Sequence, residues 1–230
     1  MNRQSILQTA SLVAATARAA RTAGVACIML LAAACTQDEL AYGTILPEGK
    51  YPMTFATAVE GLTVTRANTA EGQWTEGDAI AVQVGGDVRQ YTPAAGGSSS
   101  ATLQAASGIE TLYWQSTADI SVSAWYYGTG YSIIPPDGTS WAVQSDQSGD
   151  GYQKSDFLYA PATTISFANR GSASLTFYHQ TAKVVINIVK ADAAIDAEQI
   201  QSVTIGNNNL ALSGVYAAPG TGQTAGTWNN

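Results

Sequence analysis

This 230-residue chain predicts an all-β fold, a Greek-key sandwich of two packed sheets. Three observations carry that reading. Apolar side chains recur at every second position through most of the chain after residue 50, while helical periodicity is nearly absent. Turn-forming residues separate these runs at short intervals, as many short strands require. The chain is rich in Gly, Ser, Thr, Ala and Tyr and only 12% charged, about half the usual share.

Residues 1–34 stand apart from the strands. Arg3, Arg18 and Arg21, with no acid among them, precede an apolar run from Ala23 to Ala34, which is the layout of a secretory signal peptide. The run is too short to span a bilayer as a helix. It ends in Leu30-Leu31-Ala32-Ala33-Ala34-Cys35. That stretch resembles a bacterial lipoprotein lipobox, with Ala32 where leucine is more usual. The resemblance implies cleavage before Cys35 and its acylation, so that the mature chain begins there and hangs from lipid. An ordinary cleaved signal with Cys35 as an incidental thiol is the plainer alternative. Cys27 leaves with the signal, so stability rests on the core and not on a disulfide. Residues 35–50 read as an acidic tether. Its Thr36-Gln37-Asp38-Glu39 resembles the signal that routes lipoproteins to the outer face of the outer membrane in Bacteroides-type bacteria, although plain linkers are also acidic.

The domain proper is expected over residues 51–216. From Tyr51 to Val59, Met53, Phe55, Thr57 and Val59 share a face; after Gly61 the apolar positions shift to Leu62 and Val64, as a bulge or bend produces. Ile80, Val82 and Val84 line a second strand, and 112–114 and 120–127 are aromatic-rich strands. Leu175, Phe177 and His179 share a face of another strand. Val184, Ile186 and Ile188 form the most hydrophobic strand face, followed by a helical turn over 191–198 and then by strands over 200–205 and 210–216. Pro135-Pro136-Asp137-Gly138 and Asn207-Asn208-Asn209 are turns, and 96–100 and 145–151 are loops. Residues 217–230, rich in Gly and Thr with a lone Trp228, show no terminal strand and read as an end truncated before a second domain.

Charge and residue types exclude several functions. Three of the ten basic residues and none of the seventeen acids lie before Cys35, so the mature chain is more acidic than the formal −7 of the whole. Such a field, with no Lys or Arg cluster to reverse it, disfavours nucleic acid. One histidine, His179, cannot supply a hydrolase triad without a cysteine or a nucleophile elbow, and it reads as a hydrogen-bonded core residue. Asp146-Gln147-Ser148-Gly149-Asp150-Gly151 lacks the spacing and distal glutamate of a calcium loop. We therefore expect no enzyme, no cofactor and no metal. Trp125, Tyr127 and Trp141 could offer flat faces to pyranose rings, although alternation puts Trp125 and Tyr127 opposite Tyr126 and sends part of the cluster into the core. A carbohydrate-binding surface lipoprotein is the alternative function.

Three phrases resemble the fimbrillin family, the pilins of Bacteroides-type pili and their Mfa-like surface relatives. They are Thr65-Arg66-Ala67 followed by Trp74-Thr75-Glu76-Gly77-Asp78-Ala79-Ile80, then Asp156-Phe157-Leu158-Tyr159-Ala160, then Leu175 to Val184 with Phe177, His179, Ala182 and Lys183. The resemblance implies an N-terminal, transthyretin-like β-sandwich domain of a surface-exposed pilus or adhesion subunit. It further implies cutting by an Arg-specific protease, loss of the first strand, and donor-strand exchange with other fimbrillin-like subunits. On that basis Arg66 is the processing residue, with Lys50 a second candidate. Met53, Phe55, Val59, Leu62 and Val64 belong to the displaceable strand. Arg66 as a plain solvated loop residue is the equal alternative. The implied partners are sister subunits, the protease, the outer membrane and a host or bacterial surface ligand.

Overall fold

The computed structural model describes residues 44–60, 72–189, 202–203, 206 and 211–229. The expectations at Cys35, Leu62, Val64, Arg66, the 191–198 turn and most of 200–205 lie outside these residues. Among the described residues there are ten strands: β1 (Phe55–Glu60), β2 (Ile80–Val84), β3 (Asp87–Pro93), β4 (Ser100–Ala105), β5 (Ile120–Tyr127), β6 (Ser140–Ala142), β7 (Phe157–Ile165), β8 (Ser174–His179), β9 (Ser213–Ala217) and β10 (Thr227–Asn229). One helical turn, Gly151–Lys154, and a 3-10 helix, Phe167–Ser172, complete the set.

The fold is mainly β as expected, but its sheets are arranged differently from two packed open sheets. Seven strands close on themselves in the order β1-β4-β3-β2-β5-β7-β8. The other pairs in this barrel are antiparallel, while β1 runs parallel to β8, and that pairing closes the sheet. Alternation reports only that one face of a strand is buried. It is the same for a sandwich and for a closed sheet, so closure through two strands far apart in sequence could not be read from it.

A second sheet, β10-β9-β6, packs on the outside of the barrel. This explains why β5 is buried on both faces over its second half. Val122, Ala124 and Tyr126 point into the barrel, and Trp125 and Tyr127 point outward into a cluster with Phe157 and Tyr216. The two cores therefore share strands: β2 and β7, like β5, place alternate side chains in each, with Ala81 and Phe157 in the outer cluster and Ile80, Val82 and Leu158 buried on the barrel side. At ~1.5–3 kcal/mol for each large apolar side chain removed from water, either core is a substantial part of the stability.

Several elements differ from the sequence reading. β3, β4, β6 and β7 go unnoticed in it, because their polar faces dilute the alternation; β4, for example, buries only Leu103. Residues 112–114 contribute a single bridge, Pro52 with Tyr113, and not a strand. Val184, Ile186 and Ile188 carry no strand and are 62%, 50% and 55% exposed, so periodicity alone did not give them a partner. The chain end does hold a strand: β10 pairs with β9, with Trp228 opposite Tyr216. The proline turn is as expected. Thr139 donates to the Pro136 carbonyl at 2.9 Å, and Gly138 takes the φ of +74° that this turn demands.

Candidate functional site

Strand β1 lies in a slot between two neighbours that are distant in sequence. Phe55 to Ala58 pair with Leu103 to Ser100 of β4, and Ala56 to Glu60 pair with Ser174 to Tyr178 of β8. Its side chains alternate strictly, with Phe55, Thr57 and Val59 buried and Ala56 and Glu60 exposed. The Phe55 ring meets Tyr91 edge-on at 5.7 Å inside the barrel. Thr57 is the exception in chemistry. It is 3% exposed, and its Oγ1 has no hydrogen-bond partner among the described residues. A buried hydroxyl left unpaired costs about 1–3 kcal/mol.

The chain leading into β1 is docked as well. Met53 N–H donates to Leu112 O at 2.8 Å, Trp114 N–H to Tyr51 O at 3.0 Å, and Leu46 N–H to Gln115 O at 2.9 Å. The expected tether is thus part of the fold from Thr44, whose carbonyl accepts from Thr117 N–H. Tyr91 fixes the corner where this segment enters the strand. Its hydroxyl donates to Met53 O at 3.1 Å and accepts from Leu112 N–H at 3.3 Å, and burial pushes its pKa up to about 12. Outside, Tyr51 packs edge-on against Phe167 at 5.2 Å, with the Lys50 ammonium and the Arg170 guanidinium over its ring. Lys50 itself remains exposed.

At the other end of the barrel, three stretches of chain converge. The fully buried Trp74 ring contacts Phe177 at 5.1 Å and Tyr126 at 6.0 Å. Tyr126 donates to Asp78 Oδ1 at 3.4 Å, and Asp78 Oδ2 accepts from Thr75 N–H at 2.7 Å. Burial raises the Asp78 pKa above the ordinary carboxylate value; these two hydrogen bonds oppose the rise and the nearby Asp156 charge adds to it. Asp156 in turn meets His179 Nδ1 at 2.8 Å, with Asp156 4% exposed. The pair fastens the start of β7 to the end of β8. This is the hydrogen-bonded core role expected for His179.

The next residue, Gln180, joins the two sheets. Its side-chain amide donates to Tyr178 O and Thr224 O, and its Oε1 accepts from the Tyr216 hydroxyl at 2.8 Å and Gly226 N–H at 2.9 Å. Trp228 Nε1 donates to its backbone carbonyl at 2.9 Å. A Cβ at Gly226 would collide with the Tyr216 ring and the Ala217 carbonyl, so only glycine fits there. Nothing in alternation or motif marks Gln180 beforehand, because its importance lies in contacts 36 to 48 residues away.

The family model described as fimbrillin-like matches residues 65–230, most of the chain. The chain belongs to the fimbrillin-like family. No curated protein matches the sequence. Among solved structures, the chain is similar to a candidate cell adhesion protein from Bacteroides uniformis, at 19% identity and a TM-score of 0.39. That alignment covers 59% of this chain and spans only 49% of the other.

In this fimbrillin-like chain the three sequence phrases become one place. Trp74 and Asp78, Asp156, and Phe177 and His179 are the residues that converge at the barrel end. Of the proposed displaceable residues, Met53, Phe55 and Val59 are 3%, 1% and 8% exposed, with Phe55 and Val59 in the slot and Met53 just ahead of it beside Leu112, whereas Leu62 and Val64 fall outside the described residues. Of the three aromatics proposed for sugar stacking, Trp125 and Tyr127 are 1% and 6% exposed beneath the second sheet, while Trp141, half-buried, stacks one face on Tyr127 at 5.0 Å. Asp146 and Asp150 do not join. The Asp146 carboxylate accepts from Ser148 N–H, Asp150 pairs with Lys154 at 2.8 Å, and both pKa values are held down by those contacts.

Proposed function

We propose that the chain is a lipid-anchored, surface-exposed fimbrillin-like subunit for pilus assembly or adhesion, held to the outer membrane through Cys35 and matured by cleavage after Arg66. The observation that supports this most is the place of β1. It closes the barrel between β4 and β8, carries Phe55 and Val59 into the interior, and is followed within a few residues by Arg66. Cleavage there leaves the first strand held by hydrogen bonds and packing alone. Its loss exposes N–H and C=O groups on β4 and β8 and empties an apolar groove, which is the chemistry of strand addition from another subunit. The family match begins at residue 65, so β1 lies just upstream of it and the proposed cut falls at its start.

The test is digestion of residues 36–230 with an Arg-specific protease, read by intact mass, N-terminal sequencing and size exclusion. A single cut after Arg66, release of the upstream peptide, and new capture of a fimbrillin C-terminal strand peptide are the expected results. Resistance at Arg66, or a cut chain that captures no peptide, defeats the reading.

A further inference from the structure

We propose that β1 is a deliberately imperfect occupant of its slot, and that the strand which replaces it carries an apolar, β-branched side chain where β1 presents Thr57. This inference rests on the strand-exchange reading above. The inward positions of the entering chain are Met53, Phe55, Thr57 and Val59. Three are apolar, and the fourth brings into the same interior a hydroxyl with no partner among the described residues. The register shows why no partner is at hand. Thr57 lies opposite Ala101 on β4 and Leu175 on β8, so neither flanking strand offers a polar side chain at that level. Leu175 is itself fully buried and faces the same core.

The slot thus asks for a hydrocarbon at the centre of the strand, and β1 does not supply one. Valine has the outline of threonine and needs no hydrogen bond, so a strand with valine or isoleucine there gains the difference. The outward side of the slot selects little. Its neighbours Ser100, Thr102, Ser174 and Thr176 are uncharged, the residues of β1 between them are Ala56 and Ala58, and the one charge, Glu60, lies at the strand's end opposite Tyr178. Recognition therefore comes from the inward pattern of aromatic, then β-branched apolar, then valine, at alternate positions. The gain at the middle position gives exchange a direction: away from β1 and toward the newcomer.

Thr57→Val in the full chain tests this, with Thr57→Ser as a control that keeps the hydroxyl. Thr57→Val is expected to raise the thermal midpoint, slow amide exchange in β4 and β8, and slow release of the upstream peptide after the protease cut by about tenfold. Thr57→Ser does none of these. A synthetic peptide of residues 50–64 with valine at position 57 is expected to displace the natural sequence from cut protein. If Thr57→Val is no more stable than the wild type, or the cut variant releases its strand at the wild-type rate, the inference is overturned while strand exchange itself stands. Failure of the wild-type chain to be cut defeats the exchange reading instead, and the thermal midpoint and amide exchange of the intact variants then decide whether Thr57 weakens β1.

Discussion

At the residue scale, the conspicuous groups of the sequence turn out to be fasteners. His179 and Asp156 link two strands, and Asp78 takes an amide and a phenol at the barrel end. The Asp78 pKa is raised in the folded chain. Its contribution is therefore fully present below the unfolded carboxylate value of 3.8 and is lost as pH rises through the higher folded value. Asp78→Asn is expected to remove that dependence. The difference in thermal midpoint between variant and wild type, followed from pH 3 to pH 7, should shift in the variant's favour across this window and level off above it. A constant difference would mean that Asp78 titrates normally. The motif residues were legible because they are unusual, polar and spaced within recurring phrases. Gln180 and Thr57 were not, since an amide that joins two sheets and a hydroxyl without a partner look in sequence like any other polar residue.

At the element scale, legibility followed the contrast between the two faces of a strand. β5 and β8, with aromatic or aliphatic inward faces, were read nearly to their ends. β3 and β4 were lost because their inward residues are few, and the 184–188 run was over-read because alternation does not say that a partner strand exists. The direction of the outward aromatics of β5 was correct, but the sheet that covers them comes from β6, β9 and β10, which are three to five residues long. Segments that short carry almost no periodic signal. For β1 the burial of Phe55 makes a quantitative expectation. Phe55→Ala should destabilise the intact chain by about 3–5 kcal/mol in denaturant unfolding, and the same variant should lose its first strand faster once cut. A cost below ~1 kcal/mol would show that this end of the slot collapses around the missing ring.

At the scale of the whole molecule, closure distributes the consequences of losing one strand unevenly. Removing β1 converts a sheet without edges into one with two, on β4 and β8. Hydrogen exchange on the cut and emptied chain is expected to rise sharply at those strands while β9 and β10 stay protected, because Gln180 and the Tyr216–Trp228 contact hold them to the end of β8 and not to β1. Uniform loss of protection would mean that the two cores melt together. This arrangement was the least accessible from sequence, since both the parallel closure and the Gln180 junction bring together residues separated by long stretches of chain.

The parallel ladder between β1 and β8 also carries a polarity. A strand that takes over the slot with both existing ladders intact has to run the same way as β1, because reversal would exchange the parallel and antiparallel sides and shift every hydrogen bond. The slot thus discriminates amino end from carboxyl end as well as one side chain from another. On the proposed strand exchange, a junction made there would join unlike surfaces, a giver and a receiver, and its repetition would build an assembly with two different ends that grows in one sense, where pairing of like surfaces would stop at two copies.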